Sequence, residues 1–300
     1  MRYAVIGGAG FIGSYLTKEL LKKGHTVVVI DNLHTGKIEN LENLKNLEFY
    51  KIDIRNYEKL DKVLKNIDGI FHQAALTNVQ ESFEKTEKYY DVNVNGTDNI
   101  FKIANTQKIK VVFASSASVY GNIEKEDITE DSLTNPINPY GKTKMKCEKL
   151  AREYSKIGLS VIGLRYFNVF GIGQNLSYAG VISKNLVRLK KKIPPIIFGD
   201  GKQSRDFIYI DDIVDANIKA MLSNITSDFF NVGTSKSTSI LELSNIMIKL
   251  SGNNCKPIFQ KPLDGDIKKS AANIDKITEK LNWKSKITLD IGLKKIFAEK

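Results

Sequence analysis

The sequence predicts an α/β fold, a doubly wound parallel sheet with a smaller C-terminal lobe. Three observations carry that reading. A glycine-rich turn separates a first apolar strand from a first helical pattern. Short apolar runs then alternate with helical periodicity, the signature of a parallel sheet covered on both faces. Polar residues cluster where the strands end, which is where open parallel sheets bind ligands.

Arg2 to Ile6 reads as a buried strand, and Gly7-Gly8-Ala9-Gly10-Phe11-Ile12-Gly13 follows it. Ile12, Tyr15, Leu16, Leu20 and Leu21 have helical spacing. Thr26 to Ile30 reads as a second strand that ends on Asp31, completing a β-α-β unit. Gly7, Gly10 and Gly13 have G-x-x-G-x-x-G spacing. Glycine allows the tight turn and lets backbone approach a pyrophosphate at the helix N-terminus. Asp31 stands 18 residues past Gly13. A carboxylate there accepts hydrogen bonds from the adenosine ribose and repels a 2′-phosphate, so NAD is expected over NADP.

The alternation continues. Leu47 to Ile52 reads as a strand ending near Asp53, and Tyr57 to Lys65 as a helix. Gly69 to His72 is a short strand leading into Gln73-Ala74-Ala75. A long helix is expected over Glu84 to Asn105, then a strand over Lys110 to Ala114. That strand runs into Ser115-Ser116-Ala117-Ser118, which suits a ligand-facing turn and equally suits ordinary turn formers. Asn135 to Pro139 breaks structure before a helix over Tyr140 to Lys156. Tyr140 and Lys144 are one turn apart on one face of that helix. A phenol beside an ammonium ionises more easily and then serves as a general base near neutral pH. The spacing alone also arises by chance; beside a nucleotide fold, Ser116, Tyr140 and Lys144 become a candidate catalytic trio.

Composition removes several alternatives. At 300 residues the chain can bury a large core, as one domain or two lobes. A hydrophobic share of 42% and a charged share of 26% are those of an ordinary globular protein. No apolar run approaches a membrane span, and Met1-Arg2 leads straight into a strand without a signal-peptide pattern. Cys147 and Cys255 give neither zinc nor disulfide spacing, so a cytoplasmic setting and no metal are expected. The formal charge of +11 comes from scattered lysines, and runs such as Lys190-Lys191-Lys192 are short and lack interleaved aromatics. A solvated lysine-rich surface, favouring a small anionic substrate, is the expectation, with no nucleic-acid or membrane partner.

With these residues in place, the chain resembles the NAD-dependent sugar epimerase/dehydratase family of extended short-chain dehydrogenases/reductases, most of all its UDP-hexose 4-epimerase branch. The match runs almost end to end. It is carried by Gly7 to Gly13, Asp31-Asn32-Leu33, Asp53-Ile54, His72-Gln73-Ala74-Ala75 and Asn93-Val94-Asn95-Gly96-Thr97. It continues through Ser115 to Gly121, Tyr140 to Lys144, Arg165 to Gly171, Gly199-Asp200-Gly201 and Arg205-Asp206-Phe207. The resemblance implies a Rossmann domain over residues 1–167 and a substrate-binding lobe over 168–300, with segments near 206–232 returning to the main domain. It implies NAD contacts from Gly7, Gly10, Phe11, Ile12, Gly13, Asp31 and Asn32, with Asp53-Ile54 at the adenine. Further cofactor positions are Gln73, Ala74, Ala75, Asn93, Ser115, Tyr140, Lys144 and Phe167. Implied substrate contacts are Asn78, Ser116, Ser118, Tyr140, Asn168, Gln174, Val181, Arg205, Asp266 and Ser270.

The implied activity is inversion at C4 of a UDP-hexose. Tyr140 takes the proton of the 4-hydroxyl, Ser116 orients it, C4 gives a hydride to NAD, and the hydride returns to the other face of the 4-keto sugar. Sugar-nucleotide 4,6-dehydratases of the same fold typically carry Asp-Glu after the Ser/Thr, where this chain has Ala117-Ser118. Decarboxylases commonly carry Glu where Ser118 stands. A non-catalytic NAD-binding regulator is a more distant alternative, and such proteins often lack the Tyr/Lys pair. By the same resemblance, a small residue at Ser270 leaves room for an N-acetyl group, so UDP-GlcNAc and UDP-GalNAc are expected beside UDP-Glc and UDP-Gal. Two positions depart from the pattern. Leu263 stands where the family often has Arg, with Lys261 nearby, and Ile172-Gly173-Gln174 replaces a Pro-Arg-Gln type of ending. Beyond Asn168, helices are expected over Tyr178–Lys191, Asp211–Leu222, Ile240–Leu250, Ile274–Leu281 and Leu289–Phe297, with a strand over Phe229–Val232 returning to the main sheet. The resemblance also implies a homodimer through a four-helix interface built from the helices at 84–105 and 140–156.

Overall fold

The structure is a computed structural model that describes residues 1–123, 127–174, 180–262 and 268–299. Its first half alternates as the sequence predicts: β1 (Arg2–Ile6), α1 (Phe11–Lys22), β2 (Thr26–Asp31), β3 (Leu47–Lys51), α2 (Tyr57–Val63) and β4 (Gly69–His72). Next come α3 (Val79–Glu84), α4 (Thr86–Tyr90), α5 (Gly96–Gln107), β5 (Lys110–Ser116), α6 (Pro139–Lys156) and β6 (Val161–Tyr166). The rest comprises β7 (Asn168–Phe170), α7 (Val181–Lys190), β8 (Ile196–Phe198), β9 (Ser204–Tyr209), α8 (Ile210–Leu222) and β10 (Ser227–Val232). Last are β11 (Ser237–Ser239), α9 (Ile240–Ser251), β12 (Ile258–Gln260), α10 (Asp275–Leu281) and α11 (Leu289–Ala298).

The central sheet has seven strands in the order β10-β6-β5-β4-β1-β2-β3, every pair parallel. The strand order reverses between β1 and β4, and a ligand crevice opens beyond the carboxyl ends at such a switch point. Strand alternation feeds two cores. Tyr3, Val5, Val27, Val29 and Val112 face the layer of α1 and α8, where Leu16, Leu20, Ile210 and Ile213 meet them. Ala4, Ile6, Val28, Ile30, Val111 and Phe113 face α2, α5 and α6 through Leu60, Ile100, Phe101 and Cys147. Both faces of the strands are therefore buried, which is why the strands read as continuous apolar runs.

One expected helix is broken. The apolar periodicity predicts an uninterrupted run over Glu84 to Asn105, but the chain forms α3 and α4, separated at Lys85, then a π-helical turn at Asp91–Asn95, then α5. The helical turn widens where Asn93 is pulled inward: its Oδ1 accepts from the Leu76 N–H at 2.8 Å, and its Nδ2 donates to Leu76 O and to Thr143 Oγ1, both at 3.0 Å. Helix α6 starts one residue earlier than expected. Pro139 occupies the first turn, where no N–H is needed, and Asn138 caps it by accepting from the Gly141 N–H at 2.8 Å. Tyr178, placed at the next helix start by the sequence, lies outside the described residues, as do Leu263 and Asp266.

Beyond the main sheet stand two small ones, β11-β9-β7 and β12-β8. Of their strands the sequence marks the apolar run Ile196-Ile197-Phe198, which forms β8. Asp206 holds this region together. Fully buried, its carboxylate accepts from Thr234 Oγ1 at 2.6 Å and from the N–H groups of Thr234, Ser235 and Ala272. Among the described residues, no helix is long and apolar enough to cross a membrane.

Asp206→Ala should remove the acceptor of three N–H groups, the Ala272 one buried, and cost about 2–5 kcal/mol of folding stability. Urea unfolding checks this, and a loss below about 1 kcal/mol would show that the groups find other partners.

Candidate active site

The first turn has no space for side chains. Gly7 takes φ +84° and donates its N–H to Ile30 O at 2.7 Å. A Cβ on Gly7 would lie 2.6 Å from the Ala74 nitrogen, and one on Gly13 would lie 2.1 Å from Gly7 O. Helix α1 therefore starts directly against the end of β1. Gly10 precedes it in an extended conformation, and a Cβ there would meet only Gly7 O, at 3.2 Å. The unpaired N–H groups of the first helical turn thus open onto the crevice, where an anion is favoured.

Asp31 ends the neighbouring strand. Its Oδ2 accepts from the Ala9 N–H at 3.0 Å and its Oδ1 from the Leu33 N–H at 2.8 Å. Burial raises its pKa above the usual carboxylate value, and the N–H groups of Leu33, Ala9 and Gly10 oppose that rise. The crevice encloses about 360 Å³. Gly7, Gly10, Phe11, Ile12 and Gly13 form its floor, and Asp31, Asn32 and Ile54 one end. Gln73, Ala74, Ala75 and Phe167 line the other part, with Asn168 and Gln174 at the margin. Sequence reasoning missed Ile30, Ile52, His34, Leu76, Thr77, Val92 and Val169, which also line it. Ile52 and Leu76 had a readable signal, since each adjoins a strand-end motif already singled out.

The candidate trio Ser116, Tyr140 and Lys144 stands at the end of β5, two strands from β1 on the same edge of the sheet. Tyr140 is hydrogen-bonded to Ser116. Lys144 Nζ donates to Ala114 O at 2.9 Å and lies 6.0 Å from the Tyr140 ring centre. The expectation that Lys144 makes the phenol easy to ionise needs correcting for the cofactor-free protein. Burial pushes Tyr140 up to about 12, with the Ser116 hydrogen bond pulling the other way. Burial also lowers Lys144. His72, buried beside them, is pushed down to about 3 by burial and by the Lys144 charge, so it stays neutral.

Other expected contacts are engaged by partners within the chain. Asn93 spends its amide on Leu76 and Thr143, and Ser115 donates to Glu148 Oε1 at 2.7 Å. The Asp53 carboxylate is taken up by Arg55 and Asn32, which hold its pKa well below the carboxylate range. Asn78 caps α3 by accepting from the Glu81 N–H at 3.1 Å. Ser118 closes on Ser116, its N–H donating to Ser116 Oγ at 3.2 Å. Val181 opens α7, and Arg205 Nη1 donates to Ser204 O at 2.8 Å. Gln174 Oε1 accepts from Ser183 Oγ at 2.7 Å, which commits the acceptor half of that amide. Ser270 is buried two residues before Ala272, which donates to Asp206.

The profile of the NAD dependent epimerase/dehydratase family matches residues 3–233. The chain belongs to that family. It is 37% identical over 311 residues to a UDP-glucose 4-epimerase of Lactobacillus helveticus, covering 95% of this chain and 92% of the relative. The crystal structure of a Thermotoga maritima UDP-glucose 4-epimerase with UDP-glucose superposes with TM-score 0.95 at 33% identity, over 99% of this chain and 97% of that one. A Methanobrevibacter ruminantium UDP-N-acetylglucosamine 4-epimerase in complex with UDP-N-acetylmuramic acid superposes with TM-score 0.94 at 35% identity, over 99% and 96%. The wider set spans other chemistries: a UDP-glucuronate 4-epimerase, a UDP-N-acetyl-alpha-D-glucosaminuronate decarboxylase and a dTDP-glucose 4,6-dehydratase. NAD is the family's cofactor, and the crevice fits it: an N–H cradle that a Cβ would fill, a buried ribose-facing carboxylate, and an apolar slot at Ile52 and Ile54.

The raised phenol has a sign that can be tested. Its folded-state value of about 12 lies above the ordinary phenol value of 10.0, so the neutral phenol stabilises the fold fully below the lower value and loses that contribution as pH rises through the higher one. Ultraviolet difference titration of the cofactor-free protein against Tyr140→Phe should therefore find no Tyr140 phenolate below about pH 10. A phenolate appearing near pH 8 would contradict the burial argument.

Proposed function

We propose that the protein is a UDP-sugar 4-epimerase that inverts C4 through a transient 4-keto sugar, acting on UDP-Glc/UDP-Gal and on UDP-GlcNAc/UDP-GalNAc. The observation that carries this reading is the end of β5. Ser116, Tyr140 and Lys144 supply one proton-handling site. The next residues are Ala117 and Ser118, neither of them an acid that would serve elimination or decarboxylation. Ser118 is turned back onto Ser116, with the two hydroxyls 3.1 Å apart.

Bound NAD supplies a hydride acceptor that later returns the hydride. The chain's own residues do the remainder. Tyr140, ionised when the positive charge of bound NAD adds to that of Lys144, would accept the proton of the sugar 4-hydroxyl and give it back when the ketone is reduced. Ser116 orients that oxygen throughout. Lys144, fixed on Ala114 O, keeps a positive charge beside the phenol. Elements of residues 168–300 hold the nucleotide diphosphate, with Asn168, Gln174 and Arg205 as contacts, so the sugar can turn while its anchor stays. We further propose a homodimer that pairs α3–α5 and α6 with their counterparts; Phe83 and Tyr90 are exposed at 47% and 45% on the first of these segments.

Tyr140→Phe removes the proton acceptor and keeps the ring. Turnover of UDP-sugars to their C4 epimers, followed without added reductant, should fall by about 10²-fold or more. Near-normal turnover would sink the assignment, and accumulation of a dehydrated or decarboxylated product from the parent enzyme would favour the other chemistries of the family.

Ser270 sets the proposed breadth. Ser270→Tyr should reduce kcat/KM for UDP-GlcNAc by about 10- to 200-fold while sparing UDP-Glc, because a pocket rejects added bulk sterically. Equal loss on both substrates would mean that Ser270 does not face the N-acetyl position.

A further inference from the structure

Helix α6 carries a third residue on the stripe of Tyr140 and Lys144. Glu148 stands one turn beyond Lys144 and is fully buried. The three side chains engage three consecutive residues at the end of β5: Tyr140 bonds Ser116, Lys144 bonds Ala114 O, and Glu148 accepts from Ser115 Oγ. Arg165, 1% exposed, lies beside Ser115 on the adjacent strand β6. Its guanidinium forks onto Glu148, Nε to Oε1 and Nη2 to Oε2, both at 2.8 Å. Its Nη1 donates to Tyr120 Oη at 2.7 Å and to Glu130 O at 3.0 Å.

A buried pair of this kind is weak evidence for stability, because desolvating two charges offsets most of their attraction. What a bidentate fork fixes well is geometry. The geometry points to Glu148 and Arg165 as positioning residues for the reaction. They lock the height and rotation of α6 against β5 and β6, and so set Tyr140 and Lys144 relative to Ser116. This rests on the reading of those three as the reacting groups.

The pair can be removed without stranding a buried charge, since Arg152, which also donates to Glu148 Oε2 at 3.2 Å, is half exposed. Glu148→Met combined with Arg165→Met replaces it with apolar side chains, a change that buried ion pairs often tolerate without loss of stability. The double variant should melt close to the parent and bind NAD, followed by fluorescence, within about threefold, while kcat falls about 10- to 100-fold at nearly unchanged KM, the signature of misplaced rather than missing groups. Arg165→Lys, a point charge that does not fork, should fall between the parent and the double variant. A double variant with kcat within about twofold of the parent would reduce the pair to a packing feature and overturn the proposal. If the double variant does not fold, Ser115→Ala decides, since it deletes only the direct link from Glu148 to β5. A drop of about threefold or more in kcat at constant KM supports positioning, and an unchanged kcat overturns it. Tyr140→Phe measured alongside separates the two readings. An inactive Tyr140→Phe with a fully active double variant defeats only the positioning role, whereas an active Tyr140→Phe defeats the reading beneath it.

Discussion

The packing of one helix on one strand end governs this site. Helix α6 lies over the end of β5, and the contacts are polar, directional and buried: a phenol to a hydroxyl, an ammonium to a carbonyl, a carboxylate to a hydroxyl. Apolar packing alone tolerates small slides of a helix; directional bonds at three successive turns do not. Because β5 is an interior strand, hydrogen-bonded to β4 and β6, its end is as fixed as the sheet. The glycine turn obeys a constraint of the same kind. Gly13 abuts Gly7 O so closely that α1 has one permitted position at the end of β1. Both halves of the crevice are thus referred to the same seven strands.

Electrostatics in this frame run against the simplest reading of a Tyr/Lys pair. Proximity of an ammonium to a phenol favours the phenolate, but burial of both groups costs each its charge. In the cofactor-free protein the burial cost wins, leaving a neutral phenol at rest. Such a site is a poor base until positive charge is added inside it. Holding Lys144 on Ala114 O rather than on the phenol is consistent with that division: the lysine supplies charge at a fixed place and leaves the phenolic oxygen to Ser116.

Much of the fold was legible because the relevant signals are local. Continuous apolar runs gave the buried strands, and a glycine turn followed by a helical pattern gave the first β-α-β unit. Serines and a Tyr/Lys pair placed the chemistry at one strand end. The features that escaped depend on distant partners. Asn93 sits in a stretch with ordinary helical periodicity, and only Leu76 and Thr143, far off in sequence, make it widen a turn. The resemblance names Asp53 and Asn93 as cofactor positions; in the structure the Asp53 carboxylate accepts from Arg55 and Asn32, and the Asn93 amide bonds Leu76 and Thr143. In the small sheets β7, β11 and β12 have three residues each, below the length at which alternation is informative.

Directional bonds also tie the end of the main sheet to the small sheets. Tyr120 Oη donates to Asn231 Oδ1 at 2.6 Å, and Asn231 Nδ2 donates to Ile128 O at 2.8 Å. Ile128 in turn pairs with the segment around Ala272, donating to Ala271 O at 3.0 Å and accepting from the Asn273 N–H at 2.8 Å. Ala272 donates to Asp206, the hub of the small sheet. A continuous run of hydrogen bonds therefore leads from Arg165, behind α6, through Ile128 and residues 271–273 to the Asp206 carboxylate. Ser270 lies at the edge of that run. Its neighbours are held by backbone bonds that no side-chain exchange at position 270 removes. A change of residue at Ser270 therefore leaves as it was the frame that holds Tyr140, Lys144 and Ser116.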